Sequence, residues 1–339
     1  MGQNILVTGG YGFLGQYVVK SILENYPAAQ ITIMDLKRPA FLLFDIDSDP
    51  RTKTIFANIC DEKEMASLFS DIDAVVHLVG LVSSSIKDRD RMFKINVRGT
   101  ENVLKAMQQH NVPRLIHISS VAAFGYRLTG DEPINETFEF DWEIARRSKK
   151  YYMLTKHLAD VKIAGYAQKG IKSIVLHPSL MYGPGDTANS SRMIRAIKSG
   201  QIPFNMPGGT SVIHVQDVAD GIVAALKSDL SDEHLLLSGY NYTFVHINQK
   251  IADLVDVSPP KKTMPRHLHR ILFRLFQILE HIWPKPLQLC ADDIDNAFRF
   301  RYYDNSKAKK LLGWAPKISF ERTIIETKEW MVQNGYLDE

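Results

Sequence analysis

Residues 4–15 read NILVTGGYGFLG: a short apolar run, a turn carrying glycines at 9, 10, 12 and 15, and then the start of a helical pattern. Few folds accept such an opening. Glycine permits a tight turn, a close approach of backbone to a bound anion, and close packing of helix on strand. The helix N-terminus behind the turn offers free N–H groups and a partial positive charge to phosphates. Gly9, Gly12 and Gly15 have the spacing of a dinucleotide-binding turn, and Phe13 and Leu14 open the helix. A glycine turn alone is weak evidence, but Asp35 closes the next apolar run twenty residues after Gly15. A carboxylate there would accept hydrogen bonds from an adenosine ribose and repel a 2′-phosphate. NAD is therefore expected rather than NADP. Lys37 and Arg38 could soften that preference, but read as solvated loop charges. The bland alternative is an ordinary glycine turn followed by a strand-end aspartate.

The rest of the first half repeats the same alternation. Val- and Ile-rich runs at 4–9, 30–35, 53–58, 73–79, 114–120 and 172–178 read as buried strands. Helical patterns lie at 12–25, 61–70, 88–110 and 151–169. This spacing predicts an α/β protein with a Rossmann-type, doubly wound parallel sheet. Residues 1–178 would form the cofactor domain. Residues 179–339, with helices near 216–228, 245–256, 266–283, 304–312 and 320–334, would form a smaller C-terminal α/β substrate region. The chain is expected to cross back to the first part, for example at 212–228.

Composition excludes several classes. With 41 basic and 38 acidic residues, the chain has no charge excess suited to nucleic acid. Its 2 cysteines, Cys60 and Cys290, form no metal pattern, and no metal is expected. The first apolar run breaks at Gly9, too early for a secretion signal, and no run reaches transmembrane length. The expectation is a cytoplasmic protein acting on a small molecule.

In the stretch YYMLTK (151–156), Tyr152 precedes Lys156 by four residues, which places both on one helix face. Tyr151 has only Thr155 at that offset. A phenol titrates near 10 and is a poor base at neutral pH, but a nearby ammonium favours the phenolate. A hydroxyl donor opposite would orient a substrate oxygen, and HISSVAAFG (117–125), at a strand's C-terminal end, supplies one. Open α/β sheets bind ligands at that end.

Together these motifs resemble the extended short-chain dehydrogenase/reductase family. The likeness spans nearly the whole chain, through VVHLVG, NVRGTENVL, SSVAAFG, YYMLTK, HPSLMYGPGD, VIHVQDVADGI and LLGWAPKISFE. It implies that Ser120 orients the substrate, that Tyr152 is the acid/base and that Lys156 is its partner. Ser119 competes for the hydroxyl role, with register favouring Ser120. The resemblance also places Asn58 and Ile59 beside the adenine, Leu78, Val79 and Gly80 along the cofactor, Asn96 holding the active-site loop, and Pro178, Ser179 and Leu180 flanking the nicotinamide. His177 stands where the family usually has arginine and receives no role. His77 and His117 read as core histidines. A homodimer through helices at 88–110 and 151–169 is a further implication.

Two features narrow the chemistry. Val121 and Ala122 follow Ser120 where the family's dehydratases carry an Asp-Glu pair. Thr210 and Ser211 stand where its nucleotide-sugar enzymes usually carry a diphosphate-gripping arginine, although Arg192 or Arg195 could substitute. Both features favour alcohol/ketone chemistry on an apolar or amphipathic substrate, as in the 3β-hydroxysteroid dehydrogenase and dihydroflavonol reductase groups. A nucleotide-sugar 4-epimerase and a non-catalytic, NAD-sensing binding protein are the alternatives. Residues 266–283 carry Leu268, Ile271, Leu272, Leu275, Leu279, Ile282 and Trp283 at helical spacings, with Phe273, Phe276 and Ile278 widening the apolar sector. This helix could be core, a wall or lid over an apolar substrate, or, less favoured, a membrane-surface helix.

Overall fold

In the first strand, β1 (Asn4–Thr8), Ile5 and Val7 belong to one apolar cluster and Leu6 to another. Both faces of the sheet are therefore buried, as an all-parallel sheet requires. The computed structural model, which describes residues 3–338, continues with α1 (Phe13–Asn25), β2 (Gln30–Asp35), β3 (Thr52–Phe56), α2 (Glu62–Ala66), β4 (Ala74–His77), α3 (Arg89–Met92), α4 (Thr100–Gln109), β5 (Arg114–Ile118), α5 (Trp142–Arg147), α6 (Tyr151–Ala167) and β6 (Lys172–Pro178). There follow β7 (Leu180–Tyr182), α7 (Ser190–Lys198), β8 (Gly209–His214), α8 (Val215–Lys227), β9 (Glu233–Leu237), β10 (Tyr240–Thr243), α9 (Phe244–Leu254), α10 (His269–Ile282), α11 (Ala291–Ala297), β11 (Phe300–Arg301), α12 (Ser306–Leu312) and α13 (Phe320–Gln333).

Seven strands form the main sheet in the order β3-β2-β1-β4-β5-β6-β9, and every pairing in it is parallel. The order reverses between β1 and β4, the switch point at which such sheets open a ligand crevice. The glycine turn follows β1 and therefore lies at that crevice. A second, small sheet pairs β8 with β7, β10 and β11. Chain from the second half also completes the first core. Val218 and Ile222 of α8 pack with Val18 and Ile22 of α1, and Gln216 hydrogen-bonds Ser21 at 2.9 Å.

Local structure departs from the sequence reading in places. The segment read as one helix over 88–110 is α3, a π-helical stretch over Phe93–Gly99 and then α4. The helix read over 61–70 ends at Ala66, where the Ser67 hydroxyl donates to the Glu64 carbonyl. Helices α5, α7 and α11 were not expected. The Asp186 carboxylate nucleates α7 by accepting from the N–H groups of Ala188, Asn189 and Ser190. No helix among the described residues is long and apolar enough to cross a membrane.

The structure also decides among the readings of 266–283, which contain α10. Its one buried side chain is an acid, Glu280, while Ile271, Leu275, Ile278, Ile282 and the following Trp283 are all exposed. This excludes a core helix. The inward side is anchored by polar bonds instead. His269 meets Asp295 at 2.7 Å, and Glu280 accepts from the N–H groups of Ile86 and Ala291.

Candidate active site

The glycine turn is shaped for a group that approaches its backbone. Gly9 has φ of +74°, a conformation that strains other residues. A Cβ at Gly15 would lie 2.1 Å from the Gly9 carbonyl oxygen, so α1 can pack on the turn only with glycine there. A Cβ at Gly12 would meet nothing but that same oxygen, at 3.1 Å, and no side chain caps α1. The first N–H groups of α1, at Phe13 and Leu14, are left for an external anion.

Asp35 ends β2 beside this turn and accepts from the N–H groups of Tyr11 (3.1 Å) and Leu36 (2.8 Å). Its carboxylate is thereby fixed at the crevice. Arg38, which could have favoured a 2′-phosphate, is paired with Asp47 at 2.6 Å, and Asp47 also accepts from the Tyr11 phenol. The adenine pair divides. Asn58 is exposed and its Oδ1 accepts from the Cys60 N–H, whereas Ile59 is turned into the core against Gly99. Of these two side chains, only Asn58 faces solvent.

Leu78 donates from its N–H to Thr8, and Val79 packs against Gly9, where a Cβ would come within 3.2 Å. A Cβ at Gly80 would lie 3.1 Å from Lys156 Nζ, so the backbone after β4 passes directly beside the ammonium. Asn96 holds that backbone in place. It accepts from the Leu81 N–H at 2.7 Å and donates to the Leu81 carbonyl at 3.0 Å and to Thr155 Oγ1 at 3.1 Å. Its amide is thus occupied in clamping the loop to α6. Pro178 and Ser179 are buried at the end of β6, and the Ser179 hydroxyl has no partner among the described residues. Leu180 is half-buried in the apolar cluster of the C-terminal part. The open glycine turn, the fixed carboxylate and this orphaned hydroxyl together fit a dinucleotide laid along the crevice.

Ser120, Tyr152 and Lys156 come together at the C-terminal end of β5. Ser120 Oγ accepts from the Ala122 N–H at 3.2 Å, which leaves its own proton free to donate. Burial pushes the nearby Tyr152 phenol up, the Ser120 hydroxyl draws it down, and the Asp160 carboxylate raises it again. Lys156, one turn below, donates to the Ile118 carbonyl at 2.9 Å. Burial pushes its ammonium down, against the opposing pull of Asp160. Ser119 is not equivalent to Ser120, since its hydroxyl donates to Asp160 at 3.0 Å.

Three residues behind the triad escaped the sequence reading. Asp160 is buried, and burial raises its carboxyl while Ser119 and Lys156 lower it. His177 bonds the Ser120 carbonyl at 3.2 Å through Nδ1 and His234 at 3.1 Å through Nε2. Although Asp160, His177 and His234 cluster tightly enough to suggest a metal, both nitrogens of His177 are already engaged. Asp160 was legible: it stands at i+4 from Lys156, the offset that links Lys156 to Tyr152.

With this geometry in view, the comparisons with known proteins are decisive for the class. Residues 5–237 match the model of the NAD dependent epimerase/dehydratase family. The chain is 25% identical to a putative dihydroflavonol 4-reductase of Synechocystis, over 99% of this chain and 97% of that protein. It is 24% identical to a sterol-4-alpha-carboxylate 3-dehydrogenase (decarboxylating) of Candida albicans, over 97% of each. To a bifunctional UDP-glucose 4-epimerase and UDP-xylose 4-epimerase of Arabidopsis thaliana it is 26% identical, over 98% and 97%.

The chain belongs to the NAD dependent epimerase/dehydratase family. It is an NAD-dependent enzyme of the extended short-chain dehydrogenase/reductase type.

Proposed function

We propose that this enzyme interconverts a secondary alcohol and a ketone on an apolar or amphipathic substrate, sterol-like or 3-keto-acid-like. The observation that carries the reading is the Lys156 bond to the Ile118 carbonyl, which sets the Tyr152 face of α6 against the strand end that leads into Ser120. A substrate hydroxyl placed between Ser120 and Tyr152 would receive a hydrogen bond from Ser120 and give its proton to Tyr152 as the phenolate, a form that the Lys156 ammonium would favour. Bound NAD supplies the hydride acceptor. In the reverse direction Tyr152, kept protonated by burial, returns the proton to the alkoxide. Gly9, Gly12, Gly15 and Asp35 would hold the pyrophosphate and ribose, and Asn96 would hold the loop beside Lys156.

Residue chemistry supports alcohol/ketone exchange over the alternatives. The turn after Ser120 carries Val121, Ala122 and Ala123, with no carboxylate to expel water. Thr210 and Ser211 are buried in β8, Arg192 is turned to the Gln288 carbonyl, and Arg195 is exposed. The dihydroflavonol reductase and sterol dehydrogenase named above have apolar skeletons in their names. A nucleotide-sugar 4-epimerase, which needs no hydroxyl donor beyond the same three residues, is the second reading, favoured by the plant relative.

A thermal-shift screen of the purified protein separates them. Saturating ligand at about 100 times its dissociation constant stabilises by about 2.7 kcal/mol. NAD followed by a sterol or a 3-keto acid is expected to raise the melting temperature stepwise, with no response to UDP. Stabilisation by UDP together with copurified NAD would support the epimerase instead.

A further inference from the structure

Ile271, Leu275, Ile278 and Ile282 recur at i, i+4, i+7 and i+11, which sets them in one stripe along α10. The stripe faces solvent: Ile271 is 64% exposed, Ile278 59% and Ile282 68%, and Trp283 continues it at 55%. Single exposed apolar residues are ordinary, but an unbroken helical stripe of four with an adjoining tryptophan is not. At 100° per residue, Arg274 lies along one border of the stripe and Arg270 about 40° further round on the same side. Both are exposed and neither forms an ion pair among the described residues. From Lys261 to Lys285 the chain carries six Lys and Arg side chains and a single acid, Glu280, which is buried. The outward face is thus apolar at its centre and cationic at its border.

We propose that α10 docks the enzyme on an anionic lipid bilayer, lying in the interface with Ile271, Leu275, Ile278, Ile282 and Trp283 among the acyl chains and Arg270 and Arg274 at the headgroups. Charge complementarity selects this occupant. A symmetric second copy would bring no exposed acid from this helix to meet the unpaired arginines. A bilayer rich in anionic lipid supplies both an apolar phase and the counter-charge. The helix is also firmly held where it would need to be. Glu280 and His269 anchor its inner side, and His281 meets Lys149, three residues before Tyr152, at 2.8 Å. Docking would therefore set the bilayer beside the chain segment that carries the site. This inference does not depend on which substrate the enzyme uses.

Vesicle flotation of the full chain tests it, with phosphatidylcholine alone and with roughly 30 mol% phosphatidylglycerol. The expected result is binding at least about tenfold tighter to the anionic vesicles. Ile271→Ser/Ile278→Ser/Ile282→Ser should weaken that binding by about tenfold or more, and Arg270→Glu/Arg274→Glu should remove the anionic preference. Because these side chains are exposed, the melting temperature with NAD should stay unchanged. As a measurement free of multiple substitutions, brominated lipid should quench wild-type fluorescence more than that of Trp283→Phe. No flotation with anionic vesicles, undiminished binding by the triple variant, or a dimer that this variant dissociates would each overturn the proposal.

Discussion

Lys156 Nζ donates to the carbonyl oxygen of Ile118 at 2.9 Å, and one turn further along the same face lies the buried carboxylate of Asp160. The ammonium is thus held between a strand end and an acid, both inside the protein. Asp160 raises the Tyr152 phenol as well as the Lys156 ammonium. Asp160→Asn removes that negative charge, so the phenol should ionise more easily. The acid limb of the oxidation-rate profile should move to lower pH. A pH–rate series on the two proteins checks it.

Cofactor choice should follow Asp35. Its carboxylate is oriented by the Tyr11 and Leu36 N–H groups, while Arg38 is engaged by Asp47. Asp35→Ser should lower NAD affinity about tenfold, for the loss of charge-assisted hydrogen bonds worth about 1.5 kcal/mol, and narrow the gap to NADP. Calorimetric titration with both nucleotides measures each effect.

Two glycines should respond oppositely to the same substitution. Gly15→Ala would drive a Cβ to 2.1 Å from the Gly9 carbonyl oxygen, and should both destabilise the fold and abolish NAD binding. Gly165→Ala, inside α6 with nothing within 4 Å of the new methyl, should stabilise by up to about 1 kcal/mol. Denaturant melts of the two variants give the comparison.

Acid sensitivity should come first from histidines. Burial pushes His77 down to about 3 and carries His117 and His177 well below their usual range. Their folded pKa values are depressed, so between about pH 6.5 and 3 the unfolded chain binds protons that the folded chain refuses. Stability therefore falls on acidification through that window, by about 1.4 kcal/mol per pH unit for each such histidine. Both ring nitrogens of His117 lack partners, so His117→Leu should be neutral or stabilising at pH 7 and should flatten the decline. Melting temperatures across pH 4–7 test the sign and the slope.

Lys150 links the site to the C-terminal part. It immediately precedes α6, is buried, and pairs with Asp292 and, at 3.0 Å, with Asp295. Lys150→Met would leave the half-buried Asp292 without its cation and take one of three partners from the buried Asp295, and should cost about 3 kcal/mol of stability. Urea unfolding of the variant checks this, and Arg299 and His269, which share Asp295, set how much is recovered.

The central part of this molecule was legible because its signals are local. The glycine turn, Asp35 and the Tyr152–Lys156 offset each follow from a turn or a helix repeat, and the parallel order follows from the alternation. What escaped depends on contacts far apart in sequence. His177 gains its meaning from Ser120 and His234, and Arg38 from Asp47. The direction of the α10 stripe was left open between three readings for a related reason. Periodicity finds an apolar face but not its direction, and here Glu280 and His269, bonded to Ile86, Ala291 and Asp295, decide it.

The most direct test of the account is Tyr152→Phe, measured for NAD binding and for turnover on the substrate found by thermal shift. Removing the phenolic oxygen should lower turnover by about two to four orders of magnitude, as loss of a general acid/base does, with NAD affinity within a few-fold of wild type. Undiminished turnover in this variant would contradict it.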